Sequence, residues 1–435
     1  MLWLMTMVGG VWLARPPAPG AGEELAAVAA ESKSLSAGLE PLQGQLATAL
    51  READEEGIRQ AVAKLKDLLG DQAGVPEVPD TIEPVPAAVL PLQPEEFSRA
   101  YDASIRLIER RKWWTIGLDP TTLKRSLREP AAVIEGCLAV RRVNPARATH
   151  LLALARDAGD FLIWAQNQAG TGVVPFPAAR GGTSPAFAAS ERVLKRAAQE
   201  GRLDPMVHSG WLIDDASTGG LQFDNGRAGV ALIHLHEATG DAVYRRAALA
   251  AADWAATRPL VSNWNYNSFS VHLLAEAHRL TGDPKYLALS ITKARLGVLP
   301  GQLTSGPRAG RWADPHNARP AYHSIMVRAL AALAAVMPAE DPELPAIVAA
   351  IRLALLARNP DFQQGVSNAD STLEALLQVD RLPPHVAVSL LHCQTAEALA
   401  TLERFAVAGY RAGQNPLGPG AWGMWLEHSQ RPAAR

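Results

Sequence analysis

One helical turn occurs twice in this chain at a fixed interval. Thr239-Gly240-Asp241 is followed by Tyr244, and Thr281-Gly282-Asp283 is followed by Tyr286, 42 residues further on. In each copy a glycine lies just past an apolar helical stretch, where a left-handed residue ends a helix. An aspartate then opens the next helix, where its carboxylate suits the positive end of the dipole. A unit of this length that closes one helix and opens another is a helical hairpin. A chain of such hairpins must stack them to bury their apolar faces.

Helical patterns fill the chain from Glu95 onward. The clearest is Pro145–Gln168, with Asn144 as cap, Pro145 at the first position, and a stripe of Leu151, Leu152, Leu154, Phe161, Leu162 and Trp164. Further helices are expected at Glu95–Lys112, Ala131–Arg141, Ser184–Gln199, Asn225–Ala238, Ala242–Ala256, Asn267–Leu280, Pro284–Leu296, Arg319–Val336, Leu344–Ala357 and Ala387–Tyr410. Strand-like alternation is scarce, so the fold class is all-α. Stacked hairpins form either an open solenoid or a closed α/α toroid. Solenoid repeats are joined by short polar turns. Here the alternate connections Val173–Pro185, Val207–Asp224, Pro259–Asn267 and Pro300–Ala318 are long and rich in aromatic residues. That asymmetry favours a toroid with one functional face.

Ahead of the hairpins the chain divides into three pieces. Residues 1–21 begin with an apolar stretch, Met1–Ala14, that resembles the core of a secretory signal without a preceding Lys or Arg. Residues 22–73 read as a small helical hairpin, broken near Pro41 and Gly44. Residues 74–94 form a Pro-rich linker that leads into a toroid domain over 95–435. Secretion, or a place in the periplasm or cell envelope, is therefore expected. Of the 435 residues, 48% are hydrophobic, enough for a large core, and the net charge of −2 excludes the basic stripe of a nucleic-acid binder. No integral membrane domain is expected, since the apolar start is too short to span a bilayer. Cys137 and Cys393 sit in apolar helical patterns and read as buried free thiols.

Trp164-Ala165-Gln166, then Gly170-Thr171-Gly172 and Pro175-Phe176-Pro177, resembles the helix, Gln and Gly-rich-turn signature of α/α-toroid carbohydrate-active enzymes, the six-hairpin glycosidase-like superfamily. Gly219-Gly220-Leu221-Gln222-Phe223-Asp224-Asn225-Gly226 looks like the next such loop, and the Thr-Gly-Asp turns are similar to those of the same superfamily. The resemblance covers about Glu95 to the C-terminus. It implies a cleft across the toroid that holds an oligo- or polysaccharide. The superfamily includes glycoside hydrolases, polysaccharide lyases and sugar epimerases, and fold does not choose among them.

Two clusters carry the candidate chemistry. Asn263, Trp264, Asn265, Tyr266 and Asn267 form one. Trp312, Asp314, His316, Asn317, Arg319, Tyr322 and His323 form the other. Toroid lyases use Asn, His, Tyr and Arg for β-elimination from a uronate, so the resemblance implies such roles here. His316 or Tyr266 would be the base, Asn265 and Arg319 would neutralise the carboxylate, and Tyr322 or His323 would assist the leaving oxygen. The Asn-Asn-His string of some of those lyases is absent. Hydrolysis instead needs two carboxylates about 5 to 9 Å apart, and Asp214, Asp215, Asp224 and Asp314 are the candidates. Trp211, Trp264 and Trp312, with Trp113-Trp114, are candidate sugar platforms, and Asn225 completes the substrate-binding set. Each residue also has a plain structural reading: Asn225 and Asn267 as helix caps, the aspartates as turn formers, the tryptophans as core. No zinc spacing, phosphate loop, dinucleotide loop or nucleophile elbow occurs, so no cofactor is expected, and a single loop-bound cation stays open. The leading expectation is a lyase acting on an acidic glycan. A glycoside hydrolase with paired aspartates comes second, and a non-catalytic glycan-binding scaffold third.

Overall fold

The computed structural model describes residues 41–69, 75–78, 92–111, 113–115, 118–182, 185–358, 369–414 and 417–430. The apolar start and most of the Pro-rich stretch, with the expectations attached to them, lie outside these residues. Among the described residues, beside a helix over 41–52, these longer helices carry the architecture: α1 (Glu55–Leu69), α2 (Pro94–Arg111), α3 (Arg128–Val143), α4 (Ala148–Ala169), α5 (Pro185–Gln199), α6 (Gly220–Thr239), α7 (Ala242–Thr257), α8 (Trp264–Thr281), α9 (Pro284–Gly297), α10 (Pro320–Val336), α11 (Leu344–Arg358), α12 (Ala369–Asp380), α13 (Thr395–Arg411) and α14 (Pro419–Ser429).

Their packing closes a ring. Helix α3 packs on α6, α6 on α8, α8 on α10, α10 on α12, α12 on α14, and α14 returns to α3. Outside this ring α4 lies against α3, α7 against α6, α9 against α8, α11 against α10, α13 against α12 and α2 against α14. The fold is an α/α toroid built from helical hairpins, with a small helical extension at the N-terminus. Composition sorts the two rings. Helix α10 buries Met326, Val327, Leu330, Leu333 and alanines on every side, as an inner helix must. Helix α2 buries Phe97, Ala100, Tyr101, Ile105 and Ile108 at three- and four-residue spacing and leaves its other face polar.

The repeated turn is identical in detail in its two copies. Gly240 and Gly282 adopt left-handed φ of 71° and 69°, and Asp241 and Asp283 accept hydrogen bonds from Val243 N and Lys285 N. Tyr244 donates to Asp160 at 2.7 Å and Tyr286 to Asp253 at 2.9 Å, tying each outer helix to the one before it. The toroid signature is structural as well: Gln166 Nε2 donates to Gly172 O at 2.6 Å and to Ala247 O at 2.9 Å.

Two inner helices lie outside the sequence expectation. Helix α12 is short, and α14 reads as a glycine-rich loop. The glycines of α14 are what close the ring: a Cβ on Gly423 would lie 2.5 Å from Gly136 O, and one on Gly136 would lie 2.4 Å from Pro419 O. Backbone meets backbone at this seam, which no larger residue allows. The expected helix over Ala387–Tyr410 begins instead at Thr395, after left-handed Gln394. Helices α6 and α8 start earlier than expected, at Gly220 and Trp264. In the N-terminal extension a break falls at Ala53-Asp54, between a helix over 41–52 and α1, so Gly44 is inside a helix, and Pro41 is the first residue of this described stretch. No described helix is long and apolar enough to cross a membrane. Both cysteines are buried thiols.

Candidate functional site

Every inner helix is entered from the same end of the ring, because each is reached through an outer helix that runs the other way. Their N-termini therefore gather on one face, and the partial positive charge of each adds to a field that attracts anions. The first turns present Arg128 from α3, Phe223 and Asp224 from α6, Tyr266 from α8, Tyr322 from α10 and Asp370 from α12. Below them the centre of the ring is filled by charge. Arg227 clasps Glu374 with two bonds of 2.5 and 3.0 Å, and Arg328 pairs closely with the same carboxylate. His234 bonds Glu135 at 2.8 Å and lies 3.6 Å from Glu276.

The two expected clusters meet on this face. Asn265 Nδ2 donates to Asn317 Oδ1 at 2.8 Å and to Asn263 Oδ1 at 2.6 Å. His316 Nε2 lies 3.4 Å from Asn265 Nδ2 and 3.5 Å from Asn263 Nδ2. Both hydrogens of Asn265 Nδ2 are taken by Asn317 and Asn263, and the Asn263 amide nitrogen only donates, so Nε2 is the acceptor that faces it. Burial, helped by the charge of Arg319, holds His316 down to about 3. Its ring leans on Tyr322 with centroids 4.2 Å apart. Asp314 sits beneath, its carboxylate accepting from Asn317 N at 2.9 Å and from Asn317 Nδ2 at 2.9 and 3.1 Å. Burial raises the Asp314 carboxyl against those bonds.

The other half of the face is built around Arg128. It grips Asp224 with two bonds of 2.9 Å and lies 3.5 Å above the Phe223 ring, which stacks on Phe269 at 4.0 Å. Tyr266 stands beside this pair. Burial raises its phenol, and Arg128 works the other way. Gly219 makes room for it: at φ +87°, a Cβ there would come within 2.9 Å of the Tyr266 ring. Having no side chain, Gly219 cannot cap α6, and Asp215 does so by accepting from Leu221 N at 2.9 Å. Burial raises the Asp215 carboxyl. Asp214 is half-buried, folds back to accept from Ala216 N at 2.8 Å, and lies 4.0 Å from Arg258.

Several expected site residues turn out to be interior. Trp211 and Trp312 are fully buried and Trp264 is 4% exposed, so none offers a sugar platform. Trp113 and Trp114 pack edge to face in the core beside Phe161. Asn225 bonds Val174 N and Ala251 O, and Asn267 bonds Val261 N, Val261 O and Gly297 O, so both lock loops to helices. His323 points outward into the wall, with Nε2 2.9 Å from Ala354 O and its ring against Trp312, and cannot reach a leaving group. Asn265 is wholly buried, and its amide hydrogens go to neighbours. It positions Asn263, His316 and Asn317 and does not meet a substrate carboxylate. Asp224 and Asp314 are likewise engaged by Arg128 and Asn317. Arg319, Asn263, Tyr266, His316 and Tyr322 keep partial exposure on the face.

Arg128, Phe223, Arg227 and Asp370 were not singled out from sequence. Each lies in the first two turns of an inner helix, a position that has meaning only once the ring is known. The N-terminal extension also bears on the site. Lys66 Nζ donates to Gln302 O at 2.6 Å, Arg308 Nε to Val75 O at 2.7 Å, Val78 N to Pro307 O at 2.7 Å and Arg311 Nη2 to Glu77 O at 3.1 Å. These bonds clamp the loop that carries Trp312 to His316. Among the described residues no group of three or more His, Cys, Asp or Glu is arranged to hold a metal ion.

No protein-family model matches the chain, and no curated protein matches it by sequence. Solved structures of similar shape include a variant of an unsaturated glucuronyl hydrolase from Streptococcus agalactiae, 12% identical over 80% of this chain and 96% of that one, with a TM-score of 0.44. A polysaccharide lyase is 12% identical over 76% of this chain and 95% of its own, with a TM-score of 0.43. An unsaturated glucuronyl hydrolase specific for heparin is 11% identical over 73% and 99%, with a TM-score of 0.28. Similarity of this degree leaves the chemistry to be read from the site itself.

Proposed function

We propose that this protein degrades an acidic glycan, and that it does so by β-elimination from a uronate. The observation that carries the reading is the His316 cluster: a neutral imidazole with its Nε2 lone pair facing the amide of Asn263, its ring tilted against Tyr322, on a face where inner-helix N-termini converge. A lone pair is what proton abstraction needs. A bound uronate would add negative charge beside that imidazole and raise its affinity for the proton. Arg319 and the helix dipoles oppose the charge that develops on the substrate carboxylate. Tyr322, the neighbour of His316, is within reach of the same bond. The apolar start of the chain supports action outside the cytoplasm.

A second reading, hydrolysis, is favoured by one feature: the buried Asp215, its carboxyl raised, beside the more exposed Asp214. Incubation with uronate and neutral glycans separates the readings. Absorbance of an unsaturated product together with new reducing ends supports elimination. Reducing ends without absorbance transfer the proposal to hydrolysis. Binding with neither product removes catalysis altogether and leaves a glycan-binding scaffold.

A further inference from the structure

We propose that the groove between the loop over 118–127 and the segment over 178–181 is an outer subsite for the glycan, in which Lys124 and Arg180 hold a carboxylate or sulfate group several sugars from the bond at His316. The inference rests on the acidic-glycan reading and extends it outward from the rim.

The groove has a volume of about 600 Å³ and is lined by Thr121, Thr122, Lys124, Ala178 and Arg180. Its two cations come from different loops and converge. A Cβ on Gly181 would lie 3.5 Å from Lys124 Nζ, so the ammonium reaches the backbone beside Arg180. Both side chains are exposed, and among the described residues neither forms an ion pair or a hydrogen bond. The nearby carboxylates are engaged elsewhere. Asp119 folds back to accept from Thr121 N at 2.9 Å and from Thr121 Oγ1 at 2.7 Å, and Glu191 accepts from Gly181 N. Thr122 Oγ1 donates to Asp119 O at 3.1 Å. Each threonine spends its hydrogen inside the loop and keeps an oxygen that can accept from a sugar hydroxyl. Two unpaired cations beside hydroxyl oxygens suit a ligand that carries both acid groups and hydroxyls.

Two connections place the groove beside the rim. Lys124 lies four residues before Arg128, which opens α3 and holds Asp224. On the other wall, Phe176 pairs with Leu212 and Pro177 with Trp211. Ala178 N donates to Gly210 O at 2.9 Å at the groove end of this pairing, and Val174 N donates to Asn225 Oδ1 of α6 at 2.9 Å at the other. The four residues from Val174 to Ala178 span up to roughly 13 Å at strand spacing. Gly210 also packs on the 118–127 loop, where a Cβ would lie 3.0 Å from Pro120 and Thr121 side-chain atoms. His316 belongs to the far side, because α3 and α10 are opposite members of the ring. With neighbouring axes ~9 Å apart, opposite axes stand roughly 18 Å apart. A glycan cleaved beside His316 crosses that distance before it meets Lys124 and Arg180, so only a chain of several sugars touches them.

The test uses the full chain in the His316→Gln background, so that turnover does not intrude, with Lys124→Gln/Arg180→Gln and the charge-keeping Lys124→Arg/Arg180→Lys. Titration calorimetry gives their affinities for a uronate disaccharide, a uronate octasaccharide, its sulfated form and a neutral octasaccharide. Removing both cations should weaken the acidic octasaccharide ~5-fold or more and leave the disaccharide and the neutral chain unchanged. The difference should shrink as salt rises, because exposed charges are screened, and the charge-keeping variant should retain the affinity. Weakening confined to the sulfated chain assigns the groove to sulfate, and weakening of both acidic chains assigns it to carboxylate. Equal weakening of the disaccharide or the neutral chain, or no weakening at all, overturns the proposal. With His316 restored, an octasaccharide bound in this way but never cleaved removes the degrading reading and leaves the subsite. Cleavage whose KM does not change when both cations are removed takes away the subsite and leaves the reading. A protein that binds no acidic glycan loses both.

Discussion

His316 and His323 are seven residues apart and share a chemistry, yet their surroundings assign them opposite roles. Both are neutral, the first because burial and Arg319 hold it down to about 3, the second because it is sealed against Ala354 and Trp312. Only His316 keeps part of its ring on the rim. Replacing His316 with Gln should therefore lower kcat by ~100-fold or more, the scale of a lost general base, with little loss of stability. Replacing His323 with Leu should instead lower the melting temperature, because Ala354 O loses its donor, while kcat in the surviving folded protein changes by less than ~3-fold. Parallel kinetics and thermal melts check the pair, and a reversal of the two patterns would contradict the placement of the site.

The loop over 299–317 is the element on which the face depends. It makes a small internal pairing between Gln302 and Trp312, and Gly301 lies so close to the Trp264 indole that a Cβ would meet it at 2.5 Å. Trp264 directly precedes Asn265, so the loop's position is passed to the His316 cluster within one residue. From outside, α1 and Val75–Val78 hold the same loop through Lys66 and Val78 N. Exchanging Val78 for Pro removes that donor. Hydrogen exchange over 299–317 should then quicken by about 5-fold, the worth of one net hydrogen bond, while the ring helices keep their protection. Unchanged exchange in the loop would show that the extension does not brace it.

The molecule as a whole is held at its centre by ion pairs, and its stability should follow their protonation. Burial works against Glu135, yet His234 holds it down to about 2, so its contribution is present above 4.5 and is lost as pH falls toward 2. Burial also works against the imidazolium of His234, yet Glu135 and Glu276 push it up to about 10. That contribution is present below 6.5 and is lost as pH rises toward 10. Burial keeps His272 neutral down to about 3, and this adds a loss of stability as pH falls below 6.5. Maximum stability is expected near pH 6.5. His234→Gln leaves Glu135 buried without its hydrogen-bonded cation, while Glu276 keeps Arg279 at 2.7 Å, and the change costs roughly 3–5 kcal/mol. It should also flatten the alkaline side of the profile measured by denaturant unfolding. An unaltered alkaline side would mean that His234 is not charged in the folded protein.

Hairpins, their turns and the all-α class were legible in the chain because capping and helical periodicity are local: Gly240, Asp241 and Tyr244 act within a few residues of one another, and so do their copies. The meeting of Asn263–Asn267 with His316 was legible too, since both clusters enter helices from long connections and a ring must bring such entries to one face. What stayed hidden required knowledge of direction across the ring. Asn225, Asn267 and His323 have the composition of site residues, but a turn of about 100° per residue sends them into the wall. Trp211 and Trp312 are sealed by neighbours far away in sequence. Helix α14 looks like a loop because its glycines serve contact with Gly136, some 280 positions away. Arg128, Arg227 and Asp370 become a rim and its floor only when α3, α6 and α12 are set facing one another, for a lumen exists in no single helix.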